Sequence, residues 1–249
     1  MKTTDPKKRQ LLDSLKGGLI VSCQTQKDEP IYTPDMSVKM AECAKWGGAV
    51  AIRANIPEQI KKIKANVDLP VIGLWKIWND DTDVFITPTL EACQAVWDAG
   101  AEIIALDCTA QINHEGKPAR DLLPIVKKAI PEAIIFADVS NYDEARWAVD
   151  HGADIVGPTL YGYTEATKNI EDPNFREFAR ICRDFKDEAY VIMEGHIYTP
   201  EDAMKVIFLG AHAVVVGSAI TRPHYITKRF TDLLTGYQNN WRVAERSAH

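Results

Sequence analysis

Eight short apolar runs, each followed by a longer amphipathic stretch, constrain this chain more than any other feature. They are Gly18–Gln24, Ala49–Ala54, Val71–Lys76, Ile103–Cys108, Ile134–Val139, Ile155–Thr159, Tyr190–Gly195 and Ala213–Ser218. Most are rich in Val and Ile, and none shows the polar alternation of a strand with one wet face. Both faces must therefore be buried, as in a parallel sheet covered by helices. Eight such units within 249 residues favour an α/β chain closed into a (β/α)8 TIM barrel over an open doubly wound sheet. A hydrophobic fraction of 46% supplies the core, and no stretch reads as a linker, so one domain is expected over residues 1–249. Residues 1–16 form a polar N-terminal extension, either a frayed tail or a helix over the barrel bottom. Residues 239–249 read as a weakly ordered end.

The amphipathic stretches carry helix punctuation. Pro57, Pro88 and Pro200 fall near predicted helix starts, with Thr199 placed to cap the last of these and Glu201-Asp202 in its first turn. Gly100, Gly152 and Gly210 follow the helices predicted at Glu91–Ala99, Tyr142–His151 and Pro200–Leu209. A left-handed C-terminal residue is wanted there, and the next apolar strand begins within a few residues.

Charge and cysteine usage narrow the partners. A formal net charge of -6 argues against non-specific nucleic-acid binding, which needs a basic face. An anionic metabolite remains open to a chain with a locally basic pocket. Five cysteines, Cys23, Cys43, Cys93, Cys108 and Cys182, are scattered singly with no CxxC pair. That pattern suggests neither a disulfide framework nor a zinc site and fits a reducing compartment. No secretory signal or transmembrane-length segment is visible, so a soluble cytoplasmic protein with no membrane partner is expected.

In a barrel of this kind chemistry gathers at the C-terminal ends of the strands. Here those positions read Gln24, Arg53, Lys76, Asp107, Asp138, Thr159, Glu194 and Ser218. One polar terminus means little, because strands must stop somewhere. Eight converging on one rim imply a polar pocket. Lys76 follows Val71–Trp75, so an apolar strand delivers an amine to the barrel mouth. It could snorkel to solvent, act as a base, form a Schiff base or contact a phosphate. An unperturbed lysine titrates near ~10.4, so a base role requires burial or a neighbouring cation to lower that value. Arg53 on the adjacent strand could supply the repulsion, while a close Glu194 would act the other way. Glu194 itself ends the run Tyr190–Met193, where a carboxylate is costly unless paired or used. Asp138 is either a buried partner or a ligand-orienting group, and Asp107 could simply begin a loop.

The last two strand ends suggest an anion site. Gly195, Gly217 and Ser218 open the loops after strands seven and eight, where many barrels bind phosphate through backbone N–H groups. Arg222, in Thr221-Arg222-Pro223, adds a guanidinium whose fork suits two phosphate oxygens. The six histidines show no metal-ligand spacing; His196 could touch a ligand, but a surface position is expected.

Taken in order, these stretches resemble the N-acetylmannosamine-6-phosphate 2-epimerase family from about Gly18 to Phe230. The resemblance is carried by Gly18–Gln24 (GLIVSCQ), Gly48–Asn55 (GAVAIRAN), Leu69–Gly73 running to Lys76, and Asp83–Thr87 (DVFIT). It continues through Ala105–Asp107, Ala137-Asp138, Thr159-Leu160 with Gly162–Thr164, Glu194-Gly195, and Val216-Gly217 with Ala219–Pro223 (AITRP). It implies a ribulose-phosphate-binding type of TIM barrel and a phosphosugar substrate, N-acetylmannosamine 6-phosphate, interconverted with N-acetylglucosamine 6-phosphate. It implies proton transfer at C2 without metal or other cofactor. By matching position, Lys76 would be the principal acid/base and Glu194 its partner. Gln24, Arg53 and Asp138 would orient the sugar and its N-acetyl group. Arg222, with the loops at Gly195, Gly217 and Ser218, would hold the phosphate. The chain departs from the expected pattern at Ile77-Trp78, where a basic residue would follow the lysine, at His196, and in its longer N-terminus. A homodimer is left open.

Other chemistries fit parts of the pattern. A Schiff-base aldolase also places a lysine on a barrel strand, and a sugar-phosphate sensor would keep Arg222 and the glycine loops. The sensor has no need of Lys76 and Glu194 together. A pentose-phosphate epimerase would require metal-binding histidines that are missing.

Overall fold

The computed structural model describes the backbone of residues 2–168, 170 and 173–247, with side chains of these as far as residue 237. Eight parallel strands close in chain order into a barrel, β8 pairing back onto β1. The strands are β1 (Leu19–Ser22), β2 (Ala51–Asn55), β3 (Val71–Leu74), β4 (Ile103–Asp107), β5 (Ile134–Asp138), β6 (Ile155–Gly157), β7 (Tyr190–Met193) and β8 (Ala213–Val216). The helices are α1 (Pro6–Ser14), α2 (Met36–Trp46), α3 (Pro57–Asn66), α4 (Leu90–Asp98), α5 (Leu122–Ala129), α6 (Tyr142–Asp150), α7 (Phe175–Phe185), α8 (Pro200–Phe208), α9 (Ser218–Thr221) and α10 (Pro223–Ser247). The expected (β/α)8 TIM barrel is the observed fold.

Alternation along each strand divides the core in two. Residues of one parity, among them Ile52, Ile104, Leu106, Ile135, Val191 and Val214, pack outward under the helices. Residues of the other parity fill the barrel: Ile20, Ala51, Ile72, Leu74, Ile103, Ala105, Ile134, Phe136, Ile155, Tyr190, Ile192, Ala213 and Val215. This inward parity, continued toward the C-terminal ends, gives Ser22, Gln24, Arg53, Asn55, Lys76, Asp107, Asp138, Thr159, Glu194 and Gly217. The barrel therefore aims its polar residues inward because side chains alternate along a strand. Gly157 occupies one inward position for space: a β-carbon there would come within 2.6 Å of the Phe136 ring. That ring in turn lies 5.2 Å from the Arg53 guanidinium and floors the site.

The apolar runs overshoot the strands by one or two residues at several ends. Gln24, Lys76, Thr159 and Glu194 sit one or two residues past their strands, in the loops that follow, and Ser218 begins α9. The helix punctuation is as the sequence requires. Thr199 accepts the Asp202 N–H, and Gly100, Gly152 and Gly210 take φ of +96°, +91° and +105° directly after their helices' last turns. At the other end α1 closes the barrel bottom. Leu12 and Leu15 are fully buried among the interior residues, and the Lys8 amine donates to the carbonyls of Pro131 and Ala133 at 2.7 Å each. Helix α10 carries the backbone to Ser247, through most of the end expected to be weakly ordered at 239–249; the side chains from residue 238 onward, and residues 248 and 249, lie outside the described residues. Among the described residues no helix is long and apolar enough to cross a membrane.

Candidate active site

A cavity of about 710 Å³ opens at the C-terminal end of the barrel. Gln24, Arg53, Lys76, Glu194, Gly195, Gly217, Ser218 and Arg222 all line it. Asp138, also expected to orient the sugar, stands behind Arg53 instead and does not reach the cavity wall. Its two oxygens are taken by Arg53, Nη1 at 3.1 Å and Nη2 at 2.6 Å, and one of them also accepts the Thr159 hydroxyl.

Lys76 is positioned from both sides. Its backbone N–H donates to the Asn55 side-chain carbonyl at 2.9 Å. The chain beyond folds back as a narrow antiparallel ribbon, Lys76 bridging Ile86 and Asn79 bridging Thr82. Thr87 locks that ribbon to the barrel: its hydroxyl accepts the Trp75 N–H and donates to the Ala105 carbonyl. It does so with φ of +45°, one of three non-glycine residues in the left-handed region among the described residues; the others, Ile56 and His196, also lie on loops at this mouth. The ribbon stacks Trp78 on Phe85 at 4.1 Å, and the Lys76 amine lies 5.9 Å from the Phe85 ring. No ion pair engages that amine among the described residues. Burial first, then the positive charges of Arg53 and Arg222, push it down to about 8, against the upward pull of Glu194 and Asp138. The contest that the sequence left open is decided by desolvation.

Glu194 follows β7 and belongs to Arg53, whose Nη1 lies 2.5 Å from its Oε2, although the two are not aligned as a hydrogen bond. Burial raises the carboxyl to about 7, opposed by Arg53 and Lys76 and assisted by Asp138. Arg53 itself is 1% exposed, a wholly buried cation between two carboxylates. Asp107, beside Asp138 in the sheet register, is also buried and raised to about 7 by that burial. Its Oδ1 accepts the N–H and hydroxyl of Thr109, while Oδ2 has no partner. Gln24 donates to the Ser22 hydroxyl and leaves its own carbonyl oxygen buried and unpartnered above the cavity. An orphaned acceptor in such a place suits a ligand N–H or O–H.

The loops after β7 and β8 bring two glycines and a further cation to the cavity. Gly195 takes φ of +91°, where a side chain would be strained, and Gly217 passes so close to β1 that a β-carbon would lie 3.3 Å from that of Ser22. Arg222 follows α9 and places Nη1 3.3 Å from the Ser218 hydroxyl. Thr221 ties this corner to β1 through the Ser22 carbonyl at 3.0 Å.

Some of the wall was not foreseen. His196, expected at the surface, is half-buried and lines the cavity, its Nε2 2.9 Å from the Tyr161 carbonyl. Its backbone is left-handed, with φ of +57°, directly after Gly195. Ser22, which lines the cavity, and Asn55, which holds the Lys76 backbone from behind it, share the inward parity of Gln24 and Arg53, and that alternation would have found them. Trp78, Phe85, Tyr163 and Tyr198 also line the cavity, but they come from irregular loops whose course no periodicity fixes.

A family model described as "Putative N-acetylmannosamine-6-phosphate epimerase" matches residues 37–235. A protein of Listeria monocytogenes serotype 4b (strain F2365), named "Putative N-acetylmannosamine-6-phosphate 2-epimerase", is 42% identical over 89% of this chain and 96% of its own length. One of the same name from Clostridioides difficile (strain 630) is 44% identical over 88% of this chain and 97% of its own. Among solved structures, the N-acetylmannosamine-6-phosphate 2-epimerase of Clostridium perfringens superposes with a TM-score of 0.83 at 40% identity, covering 89% of this chain and 95% of that one.

Proposed function

Because the chain belongs to the N-acetylmannosamine-6-phosphate epimerase family, we propose that it interconverts N-acetylmannosamine 6-phosphate and N-acetylglucosamine 6-phosphate, a step of amino-sugar and sialic-acid catabolism. The single observation that carries the reading is the unpaired, down-shifted Lys76 amine sharing one cavity with Glu194 and with the Arg222 end.

The chemistry follows from those groups. In the open-chain aldehyde, C1 acidifies the hydrogen on C2. The Lys76 amine takes that proton, the C–H electron pair becomes the C1–C2 double bond, and the carbonyl oxygen gains the negative charge. The buried Arg53 cation lies where such charge can be stabilised without rearrangement of solvent. Glu194, raised to about 7, gives a proton to the enolate oxygen on C1 and takes it back as the C1 carbonyl re-forms, while return of a proton to the opposite face of C2 inverts the carbon. Gln24 offers its free carbonyl oxygen to the acetamido N–H. Asp138 acts through Arg53, holding the guanidinium in register. Arg222, Ser218 and the chain turns at Gly195 and Gly217 hold the phosphate.

Proton transfer at C2 has a direct readout. With N-acetylmannosamine 6-phosphate in heavy water, proton NMR should show the C2 signal of both sugars vanish at the rate of epimerisation. Retention of hydrogen at C2 through many turnovers sinks the reading.

Two coarser expectations extend in the same way. We place the enzyme in the cytoplasm, because its substrate is a phosphorylated metabolite and its five cysteines are free thiols. We also infer a homodimer through α10. Phe230, Leu233, Leu234 and Tyr237 recur at helical spacing and are 60–76% exposed, an apolar stripe of the kind that marks a contact surface. A two-fold pairing would cover the same stripe on both copies. Sedimentation should give twice the 27.8 kDa chain mass, and the double variant Leu233→Asp, Leu234→Asp should sediment as a monomer. A wild-type monomer at micromolar concentration ends the dimer reading.

A further inference from the structure

The loop between β1 and α2 carries a carboxylate that no motif singles out. Glu29 closes a tight turn: its N–H donates to the Gln26 carbonyl, and the Gln26 N–H donates to its Oε2, both at 3.1 Å. Its Oε1 lies 2.9 Å from Nε of Arg222, and the side chain is only 9% exposed. Glutamates almost never withdraw from water unless they are paired. Closure of the barrel makes the first and last βα loops neighbours, and this ion pair joins them. His224 Nε2 stands 4.0 Å from the same oxygen, beyond hydrogen-bond reach.

The pair leaves the guanidinium in a defined state. Arginine presents five N–H donors in a rigid fork, and a phosphate is best held by two parallel ones. Glu29 stands against the Nε side as an ion pair not aligned as a hydrogen bond, the Ser218 hydroxyl lies 3.3 Å from Nη1, and Nη2 has no partner among the described residues. Arg222 lines the cavity whereas Glu29 does not. The guanidinium therefore stands between the carboxylate and any bound anion, which limits repulsion between the two negative groups. What remains is orientation, since a long side chain otherwise surrenders rotamer freedom when its ligand binds.

We infer that Glu29 is a positioning residue for substrate binding: it takes the Nε edge of Arg222, fixes the fork, and leaves the terminal nitrogens for the phosphate. This rests on the reading that Arg222 holds the phosphate. A carboxylate that merely masked the arginine would have the opposite effect, because removing it would strengthen binding.

The test is steady-state kinetics of Glu29→Gln, Arg222→Ala and the double variant, with inorganic phosphate as competitive probe. Glu29→Gln should raise KM for N-acetylmannosamine 6-phosphate about tenfold, leave kcat within about twofold, and weaken phosphate inhibition by the same factor, because the close, largely buried charge that holds the guanidinium is removed. In the Arg222→Ala background the same change should add less than about twofold, because the group it positions is gone. An unchanged or lowered KM for Glu29→Gln, or an equal increment without Arg222, overturns the inference. If Arg222→Ala itself leaves KM unaltered, the phosphate reading fails instead. Thermal melts report folding. Should Glu29→Gln melt below assay temperature, Glu29→Asp, which keeps the charge but falls short of Nε, is read against the same KM and inhibition criteria.

Discussion

Lys76→Ala is expected to lower kcat about a thousandfold while substrate still binds within a fewfold of wild type. The size is that of a single general acid–base group in a preorganised site. The separation of kcat from binding follows from where the phosphate is held, since Arg222 and Ser218 reach the cavity from beyond β8 whereas Lys76 reaches it from beyond β3. Lys76→Arg should be equally inactive, because a guanidinium keeps its proton at any working pH. The wild-type pH profile carries the same information. The amine acts as a base only when unprotonated and is held at about 8. The lysine limb of kcat/KM should therefore climb tenfold per pH unit below about 8 and flatten above it. Loss of Arg53 or Arg222 would relieve the repulsion and move that limb toward higher pH. Kinetics across pH 6 to 9 check the profile, and titration of the inactive variant with substrate checks binding. A Lys76→Ala enzyme with kcat within tenfold of wild type would mean that another group takes the C2 proton.

How much of this could be read from the chain depends on which physical rule governs each residue. The barrel was legible because fully buried parallel strands leave an unmistakable apolar signature, and the helix ends were legible because left-handed positions demand residues such as Gly100, Gly152 and Gly210. Most of the rim was legible for a related reason: a polar residue ending an apolar strand must be paired or used. Pairing itself was not. Whether Asp138 faces the sugar or supports Arg53 depends on a few tenths of a turn of side chain, and sequence spacing does not encode that. The direction of the Lys76 shift also escaped, because desolvation and four nearby charges oppose one another. Glu29 was invisible for a third reason. Its partner lies 193 positions away, on the far side of the closure between β1 and β8, and only the closed barrel brings them together.

Arg53→Met should be the most disruptive single change to the fold at this site as well as to its chemistry. Arg53 is 1% exposed and serves two carboxylates, Asp138 and Glu194, of which Asp138 is fully buried. Methionine fills much of the same volume against Phe136 but leaves both acids without a counterion. Removing one partner of a buried pair typically costs about 3–5 kcal/mol, because the survivor cannot recover its water. In a chain of this size that corresponds to a fall in Tm of roughly 10–15 °C. The orphaned acids respond by holding protons more tightly. Burial already raises Glu194 to about 7 with the arginine present, and its folded-state value rises further without it. A folded state that binds more protons than the unfolded one gains stability as pH falls. The deficit should thus be greatest at the alkaline end and shrink as pH is lowered toward about 7, where wild-type Glu194 takes up its proton as well, which melts at several pH values would show. Adding Asp138→Asn should recover part of the lost stability by removing one unpaired charge. It should recover no activity, because the cation that faces the developing oxyanion is still gone. A Tm for Arg53→Met within a few degrees of wild type at pH 8 would show that both carboxylates are held by something other than this guanidinium.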